Sequence, residues 1–283
     1  MDMHFKLLHM YKLLILLSCL IITLSCSKEN FDVANLNGNE ISAFGHGGMG
    51  TRSTYPINTY ESLMKCLNFG SDGTELDIQM TKDSVLIAFH DIDLSESTNI
   101  SGLVNSLNWS EIKNAHYTDP LYTSYSIISL DQFFSNVINL HEYDFTFDCK
   151  INSGNDDPII YNTKYTNAIS QIINKFNLTK NVYIESQSED FLRLLQQKNS
   201  NYKLFIYPNS FNSGLEIATR MNLFGITIST DIVNKKQIEI AHNNNLFVAI
   251  WGISSKGANS DGIKKNPDFI QSDKIKNLVD LLD

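Results

Sequence analysis

Cysteine is scarce in this chain of 283 residues: there are four, and Cys19 and Cys26 both fall near the apolar start. The remaining pair, Cys66 and Cys149, is too far apart in sequence to form a disulfide framework, so both read as small buried apolar residues without a bridge. No apolar run reaches the roughly 20 residues that a membrane-spanning helix needs. Net positive charge is also missing; the formal charge is −9, which argues against nucleic acid as a partner and means that any phosphate site must be built locally. The chain has no internal repeat and no linker long enough to divide two domains. The glycines after the first strand-like run read "GHGGMG", which does not fit the GxGxxG turn of an open doubly wound dinucleotide fold.

What is present at the start is Lys6 and Lys12 followed by the short run "LLILLSCLIITL", the pattern of a secretory signal peptide over residues 1–25. Its end, Thr23-Leu24-Ser25-Cys26, resembles a bacterial lipobox, in which the cysteine becomes the lipidated first residue. The polar stretch 26–40 would then be a flexible tether, and the protein an exported lipoprotein of the bacterial cell envelope, held to the membrane through Cys26. The alternative is a plain signal peptide in which Cys26 is incidental. Cleavage before Cys26 leaves 258 residues and removes Lys6, Lys12 and Asp2, moving the net charge from −9 to −10.

From residue 41 to 283, strand-like runs alternate with helical ones. The strand candidates are "ISAFGHG", "TELDIQ", "YDFTFDCK", "NVYIES", "YKLFIYP", "FGITIS", "LFVAIWGIS" and "PDFIQSD". Helical candidates include "NTYESLMKCLNFG", "YNTKYTNAISQIINKFN", "SEDFLRLLQQK", "SGLEIATRMN", "KKQIEIAHNNN" and "KIKNLVDLL". Alternation of this kind predicts parallel pairing with right-handed crossovers. Eight units in this length predict a (β/α)8 TIM barrel, with a hairpin on the second strand and a loop insertion at about 92–128. The insertion is either a substrate wall or lid, or a solvated decoration.

The chemistry concentrates in "TELDIQMTKDSVLIAFHD". Side chains alternate along a strand, so Glu75, Asp77 and Gln79 share one face. "TKDS" signals a reversal. Strand positions then pair with a sum near 166 or 167, which brings His90 opposite Leu76 or Asp77. A ribbon that delivers histidine beside two carboxylates suits a divalent metal site or acid–base work, and hard oxygen ligands favour Mg²⁺ or Ca²⁺ over zinc. In "DFTFDCK" the same alternation places Asp148 and Lys150 on one face at a strand end, the catalytic rim of a barrel. His46 ends the first strand, and the glycines after it allow close backbone approach to a ligand.

These residues carry a family resemblance. "HGG", "NTYESL", "ELDIQMTKDSVLIAFHD", "DCK" and the closing "NPDFIQSD" resemble the successive motifs of glycerophosphodiester phosphodiesterases. The resemblance runs from about residue 41 to the C-terminus. It implies a TIM barrel that hydrolyses a small phosphodiester with one divalent cation. By position, Glu75, Asp77 and Asp148 would hold the cation, and His46 and His90 would form the acid–base pair working through a cyclic phosphate. Lys150 would neutralise the phosphate, and Trp251 would pack against the glycerol or head group.

The chain departs from the family pattern at three places. The usual arginine after the first histidine is Gly47, with Arg52 as a substitute further along the loop. The glutamate of Glu-Asn-Thr is Ile57. The third metal carboxylate is Asp148 where glutamate is usual. Two other readings therefore stay open: a binding lipoprotein without strong catalysis on the same barrel, and a phospholipase C- or D-like lipase, which a broad apolar rim around the mouth would indicate.

Overall fold

Eight parallel strands close into a barrel in a computed structural model that describes residues 31–51 and 53–283. In chain order the strands are β1 (Ser42–Gly45), β2 (Gly73–Met80), β3 (Leu86–Ala88), β4 (Ile128–Ser129), β5 (Asp144–Cys149), β6 (Val182–Ser186), β7 (Lys203–Ile206), β8 (Gly225–Ser229), β9 (Phe247–Ile253) and β10 (Phe269–Ser272). β3 and β4 lie outside the ring. The other eight form it, and β1 closes it by pairing with both β2 and β10.

A helix follows each barrel strand. These are α1 (Tyr60–Asn68), α3 (Leu130–Asn136), α4 (Pro158–Lys175), α5 (Glu189–Lys198), α6 (Phe211–Met221), α7 (Lys235–Asn243), α8 (Lys256–Ile263) and α9 (Ile275–Leu282), with a short α2 (Trp109–Ile112) in the insertion. The result is the expected (β/α)8 TIM barrel. Side-chain caps start most of these helices: Thr59 accepts from Ser62 N, Asp157 from Ile159 N and Ile160 N ahead of Pro158, and Ser188 from Phe191 N. Each satisfies amide groups that the first turn would otherwise leave open.

The hairpin reverses where expected. Ser84 takes a positive φ of 65°, and Thr81 N donates to Val85 O at 3.0 Å. Ile78 pairs with Ala88 and Met80 with Leu86, a register sum of 166. β4 then adds to β3 antiparallel. The insertion is a packed unit with its own apolar cluster, in which Leu94, Val104, Ile112 and Ala115 bury against Ile87 and Phe89 of the hairpin.

Alternation along the strands sorts the barrel interior from floor to mouth. Phe44, Tyr183, Phe205 and Phe269 pack together at the floor, with Tyr183 and Phe269 ring centroids 4.8 Å apart. Two residues further along the strands of Tyr183 and Phe269, Glu185 accepts from Gln271 Nε2 and also from Thr227 Oγ1. One more step brings Asp273 opposite His46 at the mouth. The two described cysteines, Cys66 and Cys149, are buried and free.

Residues 1–30, with the leader, Cys26 and the first part of the tether, lie outside the described residues, as does Arg52. Within the stretch read as a tether, Leu36 N donates to Asp268 Oδ1 at 2.8 Å and Asn35 Nδ2 to Pro267 O at 2.8 Å, which ties these residues to the floor end of β10. Among the described residues no helix is long and apolar enough to cross a membrane.

Candidate active site

Three carboxylates meet at the mouth. β2 supplies Glu75 and Asp77 and β5 supplies Asp148. Asp77 and Asp148 are register partners, and one carboxylate oxygen from each of the three lies within 4.8 Å of the others. All three are buried. Burial pushes the Glu75 carboxyl well above the usual range, and the charge of Asp77 adds to it. Asp148 is also raised by burial, against the pull of Lys150. Asp77 goes the other way: burial opposes its charge, but Lys150, His90 and His46 together outweigh burial and hold it below the usual range.

The polar partners show what the cluster needs. Glu75 Oε2 accepts from Gly47 N at 2.7 Å, while its other oxygen, Oε1, is buried without a hydrogen-bond partner. Asn58, fully buried, donates Nδ2 to Asp77 Oδ2 at 2.6 Å and accepts from Asp77 N at 3.0 Å. Lys150 Nζ sits 2.8 Å from Asp77 Oδ1 and 2.5 Å from Asp148 Oδ2. Three carboxylates and one lysine leave an excess of negative charge, and an unpartnered buried carboxylate oxygen is costly unless something fills its place. A divalent cation fits this donor set. Glu75, Asp77 and Asp148 would hold it through hard oxygens.

Both histidines at the mouth are held by carboxylates at Nδ1, which leaves Nε2 of each ring for a substrate. His46 Nδ1 lies 2.9 Å from Asp273 Oδ1, and Thr51 N donates to the same oxygen at 2.9 Å. Burial works against a charged His46. The hydrogen bond to Asp273 and the charges of Glu75 and Asp77 override it, and its pKa rises to about 9. His90 Nδ1 lies 2.9 Å from Asp91 Oδ1, and Asp91 Oδ2 accepts from Ser97 Oγ at 2.8 Å. Gln79 donates Nε2 to both Phe89 O and Asp91 O, at 2.9 and 2.7 Å, and so pins the segment that carries His90.

His90 stands between two clefts. One, of about 600 Å³, contains Asp148, Lys150, Ser186 and Gln187; the other, of about 470 Å³, is walled by Tyr55, Ile57, Phe89, Tyr117 and Tyr122. The insertion supplies Tyr117 and Tyr122 of the second wall, and the loop after β1 supplies Tyr55 and Ile57.

The residues expected at the site come together unevenly. Glu75, Asp77, Asp148, Lys150 and His46 form one bonded and charged group, and His90 opens on the cleft that holds Asp148 and Lys150. Lys150 bridges two carboxylates instead of standing free for phosphate. Trp251 is not among the residues that line the two clefts; its ring centroid is 5.5 Å from that of Tyr207, and its buried Nε1 has no hydrogen-bond partner. Asp273, Asn58 and Glu185 were not anticipated. Alternation through Phe269, Gln271 and Asp273 marks the first, but its partner His46 is 227 positions away. Asn58 carries its signal only in the "NT" before α1, and nothing local marks Glu185.

Comparison with known sequences identifies the barrel and this rim as those of a phosphoric diester hydrolase. Residues 46–279 match the profile of the glycerophosphoryl diester phosphodiesterase family, and the chain belongs to that family. A glycerophosphodiester phosphodiesterase from Caldanaerobacter subterraneus subsp. tengcongensis is 23% identical over 234 residues, covering 82% of this chain and 95% of that protein. Two solved structures share the fold. A Silicibacter pomeroyi protein assigned to the glycerophosphoryl diester phosphodiesterases superposes with a TM-score of 0.76 at 14% identity, covering 89% of this chain and 97% of that one. An Oleispira antarctica phosphodiesterase, solved with its product sn-glycerol-3-phosphate, gives 0.71 at 16% identity, covering 84% and 95%.

Proposed function

We propose that the protein is a metal-dependent phosphodiesterase that hydrolyses glycerophosphodiesters, or a related phospholipid head-group diester, by histidine acid–base catalysis through a cyclic phosphate. The observation that carries this reading is the unpartnered Glu75 Oε1 beside Asp77 and Asp148, flanked by two carboxylate-held histidines. Bound at the three carboxylates, one Mg²⁺ or Ca²⁺ would supply positive charge to the non-bridging phosphate oxygens. Lys150 adds charge from the same side. His90, kept in one orientation by Asp91, takes the proton from the attacking glycerol hydroxyl. His46, held at Nδ1 by Asp273, gives its proton to the leaving alcohol. The roles reverse when water opens the cyclic phosphate.

A panel of diesters with Mg²⁺, Ca²⁺ and chelator tests this. Cation-dependent release of glycerol 3-phosphate is expected, with loss of at least about 100-fold in His46→Ala and His90→Ala. A metal-loaded protein that cleaves none of the panel overturns the reading in favour of a binding protein on the same barrel.

The leader supports a further part of the reading, that the mature protein is an exported bacterial lipoprotein anchored to the cell envelope at Cys26. Acyl labelling lost in Cys26→Ser is the expected result; labelling that persists, or a soluble wild-type protein, removes the anchor.

A second reading, an interfacial lipase, draws on exposed apolar side chains. Ile92, Leu121, Ile159, Ile160 and Ile232 are each at least 45% exposed and lie in the segments that follow barrel strands, Ile159 and Ile160 in the first turn of α4, on the side on which the mouth opens. Hydrolysis of lipid in vesicles faster than of the matching soluble diester would favour it.

A further inference from the structure

We infer that the aromatic cleft beside His90 is a head-group subsite that selects diesters of a cationic alcohol, with a quaternary ammonium alcohol taken best; this rests on the phosphodiesterase reading above. A phosphodiester has two alcohol sides, and the mouth has two clefts that share His90, Asp91 and Glu96. Their unshared side chains differ in kind. The cleft with Lys150, Ser186, Gln187 and Ser188 offers hydrogen-bonding groups that suit the hydroxyls of glycerol.

The other cleft offers rings. Tyr55, Phe89, Tyr117 and Tyr122 line it, and its charged side chains among the described residues are all acidic: Asp91, Glu96 and Asp119. A polyhydroxyl head group would lose hydration against these rings with little in return, and an anionic one would be repelled. A trimethylammonium group is weakly hydrated, favours aromatic faces and is drawn by the surrounding carboxylates.

The rings are also held in place before any ligand arrives. Phe89 and Tyr117 belong to the apolar cluster of the insertion, their centroids 6.3 Å apart. Tyr122 Oη donates to Ser53 O at 2.9 Å, and Tyr55 and Tyr122 both pack edge-on against Tyr125, at 6.0 and 6.3 Å. The Tyr122 hydroxyl is thereby taken up by backbone. A pre-set aromatic wall loses little conformational freedom on binding.

The test compares glycerophosphocholine with glycerophosphoglycerol in the wild type, Tyr122→Leu, Tyr122→Phe and Asp119→Asn, with folding checked by thermal melts. The wild type is expected to favour the choline diester in kcat/KM by about tenfold. Tyr122→Leu and Asp119→Asn should raise KM for that diester several-fold more than for the glycerol diester, with little change in kcat, while Tyr122→Phe keeps the preference. Equal kcat/KM on both diesters, or variants that slow both alike, overturns the subsite. Should neither diester be cleaved, the phosphodiesterase reading fails, and calorimetric titration with choline chloride decides the subsite instead. Binding that weakens in Tyr122→Leu supports it, and no binding to the wild type at millimolar choline overturns it.

Discussion

Gly47 and Ile57 close against each other: a Cβ built on Gly47 would lie 2.5 Å from Cβ of Ile57. Two departures from the family pattern, the missing arginine after the first histidine and the missing glutamate before Asn-Thr, are therefore one structural event. The backbone at Gly47 has a positive φ of 54°, and its amide is committed to Glu75. An arginine placed there alone meets both a conformational cost and the branched side chain of Ile57.

Gly47→Arg alone is expected to lower stability by about 1–3 kcal/mol and to bring no gain in activity. Gly47→Arg with Ile57→Glu should recover part of that loss, because the Cγ2 branch 3.0 Å from the added Cβ is gone and the charges are opposite, while the Cβ–Cβ contact persists. A double-mutant cycle on thermal midpoints measures the coupling; strict additivity of the two changes would show that the contact carries none.

Asp273 governs the protonation of His46. In metal-free Asp273→Asn, the His46 pKa should fall from about 9 towards the ordinary histidine value, read by NMR titration of the ring protons. A raised folded-state pKa stabilises the fold fully below the unfolded value of 6.5, and that contribution is lost as pH rises through about 9. The wild type should thus lose more stability than Asp273→Asn between these two pH values. An unchanged titration would mean that Glu75 and Asp77 alone set the value.

Lys150 is the positive charge already present among the carboxylates. Lys150→Met should destabilise the metal-free protein by about 3 kcal/mol, since Asp77 and Asp148 lose their partner in a buried setting. Adding Mg²⁺ or Ca²⁺ at about 100 times Kd should stabilise the wild type by about 2.7 kcal/mol. Thermal melts with chelator and with each cation check both. A wild-type midpoint indifferent to every divalent cation would count against the metal site.

Glu185 lies buried on β6 as the register partner of Asp148, held by Thr227 Oγ1 and Gln271 Nε2. Burial, with the charge of Asp148 adding to it, pushes its pKa up to about 8 from 4.5. The folded state then binds a proton that the unfolded state has lost, so stability falls as pH rises between these values. Glu185→Gln should raise the thermal midpoint at pH 8 and flatten this slope. A slope identical to wild type would show that Glu185 is ionised throughout.

The sequence determined by itself what local periodicity controls. Period-two alternation placed Glu75 with Asp77 and Asp148 with Lys150, because side chains on a strand must alternate whatever lies around them. The "TKDS" reversal set the hairpin register, since a short turn leaves the two strands few ways to pair. Among the described residues α1, α4, α5, α6, α7 and α9 fall in stretches that read as helical, but α8, "KGANSDGI", has two glycines and no apolar stripe, and its local mark is the Ser255 cap. It packs because Gly262 leaves room beside Ile253, where a Cβ would come within 2.7 Å.

Closure of the barrel decided the rest. Only the ring brings Asp273 to His46, joins Glu185, Thr227 and Gln271 across the interior, and turns Lys150 back onto its neighbours instead of leaving it free for phosphate. The insertion, polar and irregular in sequence, became an aromatic wall because Phe89 and Tyr117 find their partners only when it folds over the hairpin. Such contacts depend on positions tens to hundreds of residues apart, and no local pattern encodes which distant side chain will arrive.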